Sequence, residues 1–209
     1  MIYLIGGPPK CGKTTLAKKL AQEHRISWIS ADTLQNIVWA YTPKNDHASL
    51  FPHSYSRGES NDEFYSKHSP RQIIKNYIAQ GKTSYDAISM IAETYLADKD
   101  DFIVEGYQVT PEIADRILKK LGKEYVKAVF LIKSDEQKFI RDIHKSTTPA
   151  DWIIRKTKNE ATFGLIATMI AEYSHYFEKE AKKYGLEIFN MDNGFENQLK
   201  AIEMNLRSK

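Results

Sequence analysis

This sequence is poor in the features that mark secreted, membrane-spanning or fibrous proteins. Its one cysteine, Cys11, rules out an intramolecular disulfide in a chain of 209 residues. The longest apolar runs, such as Val129-Phe130-Leu131-Ile132, fall far short of the roughly 20 residues that cross a bilayer. No internal repeat and no low-complexity tract interrupts it. Neither charge sign dominates: 30 Lys and Arg stand against 27 Asp and Glu, for a net charge of +3, and the basic residues are scattered. A binder of duplex backbone usually shows a pronounced basic face, so the charge pattern argues against nucleic acid as a partner. The first residues pass straight into an apolar run, leaving no room for a signal or transit peptide. The expectation is a soluble cytoplasmic protein without a membrane partner; oligomeric state is left open. With 42% apolar residues there is enough to fill a core, and the length suits one domain over residues 1–209 with a small lid.

What the sequence does have is one stretch of high specificity. Gly7-Pro8-Pro9-Lys10-Cys11-Gly12-Lys13-Thr14 matches G-x-x-x-x-G-K-[ST] at every position. The apolar run Ile2-Tyr3-Leu4-Ile5 before it reads as a buried strand, and Leu16, Ala17, Leu20 and Ala21 after it recur at helical spacing. Backbone N–H groups gathered at a helix N-terminus form a concavity for anions, helped by the positive end of the helix dipole. Pro8 and Pro9 have no N–H to offer, so the donors come from Lys10, Cys11, Gly12, Lys13 and Thr14, with Gly7 at the turn and Thr15 adjoining. Lys13 would reach the β- and γ-phosphates of a nucleoside triphosphate, and the Thr14 hydroxyl would hold Mg²⁺. A chance match in an ordinary tight turn would not bring the right flanks on both sides.

Short apolar segments alternate with helical patterns along the rest of the chain. Ile26–Ser30, Phe102–Gly106, Val126–Ile132 and Leu186–Phe189 read as strands two to five. Between them, Ser69-Pro70-Arg71-Gln72, Thr110-Pro111 and Ser134-Asp135-Glu136-Gln137 have the chemistry of helix starts. A long helix follows, with Phe163, Ile166, Ala167, Ile170, Tyr173, Phe177 and Ala181 on one face and Gly185 at its end. The alternation predicts an α/β fold, a P-loop three-layer sandwich with a parallel five-stranded sheet between helices. Ligands of such sheets bind at the C-terminal strand edge, where the P-loop sits. From Thr42 to Ser69 periodicity vanishes, which predicts a long structureless segment with a functional use. Ser146-Thr147-Thr148-Pro149 forms a second polar break.

Several further residues have chemistry suited to that edge. Asp32, just past strand two, would accept the proton of an acceptor hydroxyl or help to hold Mg²⁺; its competing role is the N-cap of the next helix. Glu105 ends strand three and suits Mg²⁺, directly or through water, against the alternative of a satisfied acid at a strand end. Gly106 beside it would let a substrate approach the backbone. Arg141 and Arg155 are candidates for neutralising charge on a migrating phosphoryl group, because a guanidinium fork suits phosphate oxygens. Lys156 and Lys158 read better as a solvated basic face. Residues 144–159 would form a basic lid, and residues 42–71 the acceptor-binding insert, with Arg57 and Arg71 as anion contacts. His47, His53 and His68 lack ligand spacing and read as surface residues of that insert, and the Cys11 thiol, set among phosphate donors, is a candidate for reactivity.

Taken in order, the P-loop, the acids after strands two and three and the basic lid before a long helix resemble the P-loop small-molecule kinases of the adenylate-kinase-like branch. The resemblance covers nearly the whole chain. Ile103-Val104-Glu105-Gly106-Tyr107-Gln108-Val109-Thr110-Pro111 further resembles the "IEGVHLVP" segment of 2-phosphoglycerate kinases. This resemblance implies an ATP- and Mg²⁺-dependent phosphotransferase acting on a small-molecule acceptor. Two positions depart from the family pattern: Gln35 stands where an arginine follows the first acid, and Lys145 where adenylate kinases commonly carry arginine. The acceptor therefore stays open among a phosphorylated hydroxy acid, a nucleotide or sugar nucleotide and an antibiotic-like alcohol. A regulatory P-loop NTPase without an acceptor is the reading from another class; the N-K-x-D motif of a GTPase is absent, Asn190-Met191-Asp192-Asn193 being only a faint echo of it.

Overall fold

The computed structural model describes residues 1–146 and 151–207. Five strands, β1 (Ile2–Gly6), β2 (Ser27–Ser30), β3 (Phe102–Glu105), β4 (Val126–Ile132) and β5 (Glu187–Asn190), make one parallel sheet in the order β2-β3-β1-β4-β5. The central strands are apolar throughout because both faces are covered: Ile2, Leu4 and Ile5 of β1 and all of β3 are buried. The register pairs Ile5 and Ser30 with Glu105, which brings the C-terminal ends of β1, β2 and β3 level at one edge. The expected α/β architecture, a parallel sheet flanked by helices, is the one observed.

The helices form where caps and amphipathic spacing coincide. α1 (Lys13–His24) leaves the P-loop directly, and α2 (Ala31–Tyr41) starts at Ser30, whose hydroxyl accepts the Asp32 N–H at 3.3 Å. α6 (Pro70–Gly81) and α8 (Pro111–Leu121) begin at the expected caps Ser69 and Thr110. α7 (Tyr85–Ala97) lies between them, and α11 (Glu160–Tyr184) ends at Gly185, φ 65°, as the pattern predicts. α12 (Phe195–Arg207) closes the described chain. The expected cap of α9 (Glu136–Ile143) moves by one residue. Asp135 accepts the Lys138 N–H at 2.8 Å, while the N–H and hydroxyl of Ser134 are taken by Asp192 and Asn190.

Residues 42–69 are not structureless. They fold into a 3₁₀ turn (Lys44–Asp46) and three short helices, α3 (His47–Leu50), α4 (Pro52–Ser56) and α5 (Asn61–Lys67). Helices of four to seven residues are too short to display a 3.6-residue repeat, so no periodicity marks them. Tertiary packing holds them instead: Phe51, Phe64 and Tyr65 are buried, and Ser60 caps α5. Among the described residues the lid region holds one helix, α10 (Trp152–Lys156), while Thr147 to Pro149 of the polar break lie outside the described residues. Among the described residues no helix is long and apolar enough to cross a membrane.

Candidate active site

The P-loop turns through backbone conformations that only its composition allows. Gly12 stands at φ 94°, and a Cβ there would lie 2.5 Å from the Phe195 ring, so a larger residue would be excluded on two grounds. Lys10 takes the left-handed conformation, φ 65°, and its ammonium pairs with Asp151, the residue that caps α10. Burial would push the Asp151 carboxyl up, but Lys10, the Ser146 hydroxyl and the Ile153 N–H together hold it below the usual range. Lys13 is nearly buried and donates to the Pro8 carbonyl at 2.6 Å.

Two carboxylates stand beside this loop. β3 lies next to β1, so Glu105 reaches the start of α1, and the Thr14 hydroxyl donates to its Oε1 at 3.0 Å. Glu105 is 2% exposed. That burial raises its carboxyl above the ordinary range; Asp32 adds to the rise, while Lys13 and the hydroxyls of Thr14 and Ser30 oppose it. Asp32 is exposed and does not cap its helix, because Ser30 does; its Oδ1 instead accepts from Gln108 Nε2 at 2.8 Å. A hydroxyl and a nearby carboxylate are the hard oxygen donors that Mg²⁺ takes.

Two clefts meet at this point, sharing Lys10, Lys13 and Thr14. The first, about 940 Å³, runs between α1, α9 and Phe195 and is rich in lysine, with Lys18, Lys133 and Lys145 in its wall. Thr15 also lines it. The second, about 440 Å³, opens on the other side over Asp32, Glu105 and Gly106 and is walled further out by α4, α6 and Trp152. Its wall carries a network of amide and phenol groups that ends on Asp32. The Tyr107 hydroxyl donates to Gln35 Oε1 at 2.6 Å and accepts from Gln80 Nε2 at 2.9 Å, and Gln108 Nε2 reaches both Gln35 and Asp32.

The remaining predicted residues take varied places. Arg141 and Arg155 are exposed on α9 and α10 and stand in the wall of neither cleft. Arg57 lies against the rings of Phe64, Trp152 and Tyr65, at 4.8, 5.2 and 5.8 Å, and bonds Asn61. Arg71 is exposed near the start of α6. His53 departs from the expected surface position: it is buried, stacks on Tyr77 at 3.7 Å and lines the second cleft. Burial, then Arg57 and His68, lower its pKa to about 3, so the ring is neutral. Cys11 is also fully buried, and burial pushes its thiol up to about 11, the opposite of a reactive thiolate. Sequence reading missed Gln80, Gln108 and Tyr107 as site neighbours, and no local signal marks them. Asp151, ahead of the apolar Trp152-Ile153-Ile154, carries the one available sign, that of a helix cap.

No protein-family model matches the chain. It is 32% identical to the human cell cycle checkpoint protein RAD17 over 107 residues, which cover 50% of this chain and 14% of that protein. It is 30% identical to the adenylate kinase of Petrotoga mobilis over 141 residues, 66% of this chain and 54% of the enzyme. The chain thus spans about half the length of the adenylate kinase and far less of the checkpoint protein. Among solved structures, the shikimate kinase of Bacteroides thetaiotaomicron superposes with a TM-score of 0.53 at 15% identity, covering 100% of this chain and 99% of the enzyme. What the chain shares with that enzyme is the fold, a five-stranded parallel sheet between helices.

Proposed function

We propose that this protein is an ATP-dependent phosphotransferase, cytoplasmic, that moves the γ-phosphate onto a hydroxyl of a small molecule. One observation carries the reading: two clefts of different chemistry converge on Lys13 and Thr14, the first rich in lysine and the second holding Asp32 and Glu105 beside the loop. The triphosphate would lie along the lysine-rich first cleft, with its β- and γ-phosphates at the P-loop. Mg²⁺ would be held by Thr14 and by Glu105 or Asp32, and when bound it would neutralise charge on the phosphates. The acceptor would enter the second cleft, with its hydroxyl beside Asp32.

The chain's own residues then divide the work. Lys13 leaves the Pro8 carbonyl for the phosphates and offsets their charge. Asp32, held by Gln108, takes the proton of the acceptor hydroxyl as its oxygen bonds to the γ-phosphorus and the bond to the bridging oxygen of ADP breaks. Residues 144–159 would serve as the lid and 42–71 as the acceptor insert. The two are joined, for Asn61 Nδ2 donates to the Ile153 carbonyl at 3.2 Å and to the Thr157 hydroxyl at 2.7 Å. A regulatory NTPase has no use for a second cleft lined by acids. The test is product analysis with Mg-ATP and candidate alcohols, together with Asp32→Asn. Loss of the general base should lower kcat by about 10²–10⁴ with the KM for ATP little changed. Release of phosphate alone, or normal turnover by the variant, would refute the assignment.

A further inference from the structure

We infer that the acceptor is an uncharged polyhydroxyl compound, a free sugar, polyol or nucleoside, recognised by the amide and phenol wall of the second cleft. This rests on the phosphotransferase reading and narrows it. The observation behind it is the balance of charge. The wall of the second cleft contains two lysines and two carboxylates, which cancel. Both lysines belong to the P-loop and also wall the first cleft, and Lys10 is already paired with Asp151. Away from the P-loop, Asp32 and Glu105 are the only charged side chains among the described residues that line it.

The two arginines suited to clamp an anion are elsewhere. Arg57 is enclosed by Phe64, Tyr65 and Trp152, bonds Asn61 and does not line the cleft, although its Nη1, like His53 Nδ1, is buried without a partner among the described residues. Arg71 is exposed on α6, outside the cleft wall. A phosphate or carboxylate on the acceptor would therefore meet Asp32 with no guanidinium or ammonium of its own to pair with.

What the cleft offers instead suits hydroxyl groups. Both acceptor positions of Gln35 Oε1 are spent on Tyr107 and Gln108, so its remaining hydrogen-bonding capacity is the donor pair on Nε2. The backbone N–H and hydroxyl of Ser54 are tied to Gln80, whose own Nε2 holds the Tyr107 hydroxyl, which makes the wall rigid. His53, neutral and buried against Tyr77, lines the cleft and leaves its Nδ1 without a partner among the described residues. An alcohol, both donor and acceptor, satisfies such groups whichever way each points. The Trp152 ring adds an apolar surface of the kind that suits the C–H face of a sugar ring. The transfer is the one described above: an acceptor O–P bond forms, the β,γ-bridging bond breaks, Asp32 takes the proton and ADP leaves.

The experiment uses matched pairs with radiolabelled ATP and Mg²⁺: glucose and glucose 6-phosphate, ribose and ribose 5-phosphate, glycerol and glycerol 3-phosphate, adenosine and AMP. The expected result is transfer to at least one neutral member with kcat/KM tenfold or more above its anionic counterpart. Preference for the anionic member of any phosphorylated pair overturns the inference and leaves the kinase reading standing. No transfer to any compound, with Mg-ATP binding intact by calorimetry, sinks both. With the neutral substrate so found, Gln35→Leu should raise the acceptor KM about tenfold and leave the KM for ATP unchanged. An unchanged acceptor KM would show that this wall does not contact the acceptor.

Discussion

Replacing Lys13 by alanine separates a structural from a ligand-binding role of the P-loop in one experiment. In the wild type a non-hydrolysable Mg-ATP analogue at roughly 100 times its Kd stabilises the folded state by about 2.7 kcal/mol, by mass action alone. For a domain of this size each kcal/mol moves the melting temperature by about 2–4 °C, so the expected rise is about 5–11 °C. Lys13 also donates to the Pro8 carbonyl at 2.6 Å in a nearly buried position. A hydrogen bond to a charged group contributes about 1.5–3 kcal/mol, and the cost of burying the ammonium places this one at the lower end. The alanine variant without ligand should therefore melt about 3–6 °C below the wild type, taking about 1.5 kcal/mol at the same conversion. Its ligand-induced rise should fall to nearly nothing. Differential scanning fluorimetry with and without the analogue reads both numbers, and Lys13→Met, which keeps the aliphatic stem, controls for lost packing. A variant that keeps the full ligand-induced rise would refute the placement of the triphosphate at this loop.

Glu105→Gln should raise the melting temperature of the ligand-free protein at pH 7–8. Burial lifts the folded carboxyl above its unfolded value, so ionising it removes stability as pH rises from about 4.5 through the folded pKa; the gain should vanish near pH 4, and a constant difference would disprove it. The same variant should lose the Mg²⁺-dependent part of nucleotide binding in calorimetry. Cys11 should resist iodoacetamide in the native protein at pH 8 and react fully in urea, because its thiol is buried and raised to about 11; equal rates would contradict this. Asp151→Asn keeps a helix cap while removing the charge opposite Lys10. Hydrogen exchange over residues 151–157 should quicken about tenfold or more with little change in melting temperature, and unchanged exchange would show that the pair does not hold α10 down.

The chain's local chemistry determined its P-loop, the parallel sheet and most helix starts. Gly7 to Thr14, the caps Ser69 and Thr110, and Gly185 at a helix end each act over a few residues, so their reading needed no partner. The face Phe163 to Ala181 repeats often enough for its burial to be read from spacing. What only the tertiary structure decided lies across long separations. Thr14 and Glu105 are 91 residues apart and meet because β3, not another strand, lies beside β1, and strand order is not written in periodicity. The same holds for Lys10 with Asp151, for Arg57 drawn against three aromatic rings, and for His53 buried where polarity suggested surface. Gln35, Gln80, Tyr107 and Gln108 come from three parts of the chain, and each alone is an ordinary polar residue. A glutamine has no spacing rule, so its role depends on which other side chains the fold sets within hydrogen-bond reach.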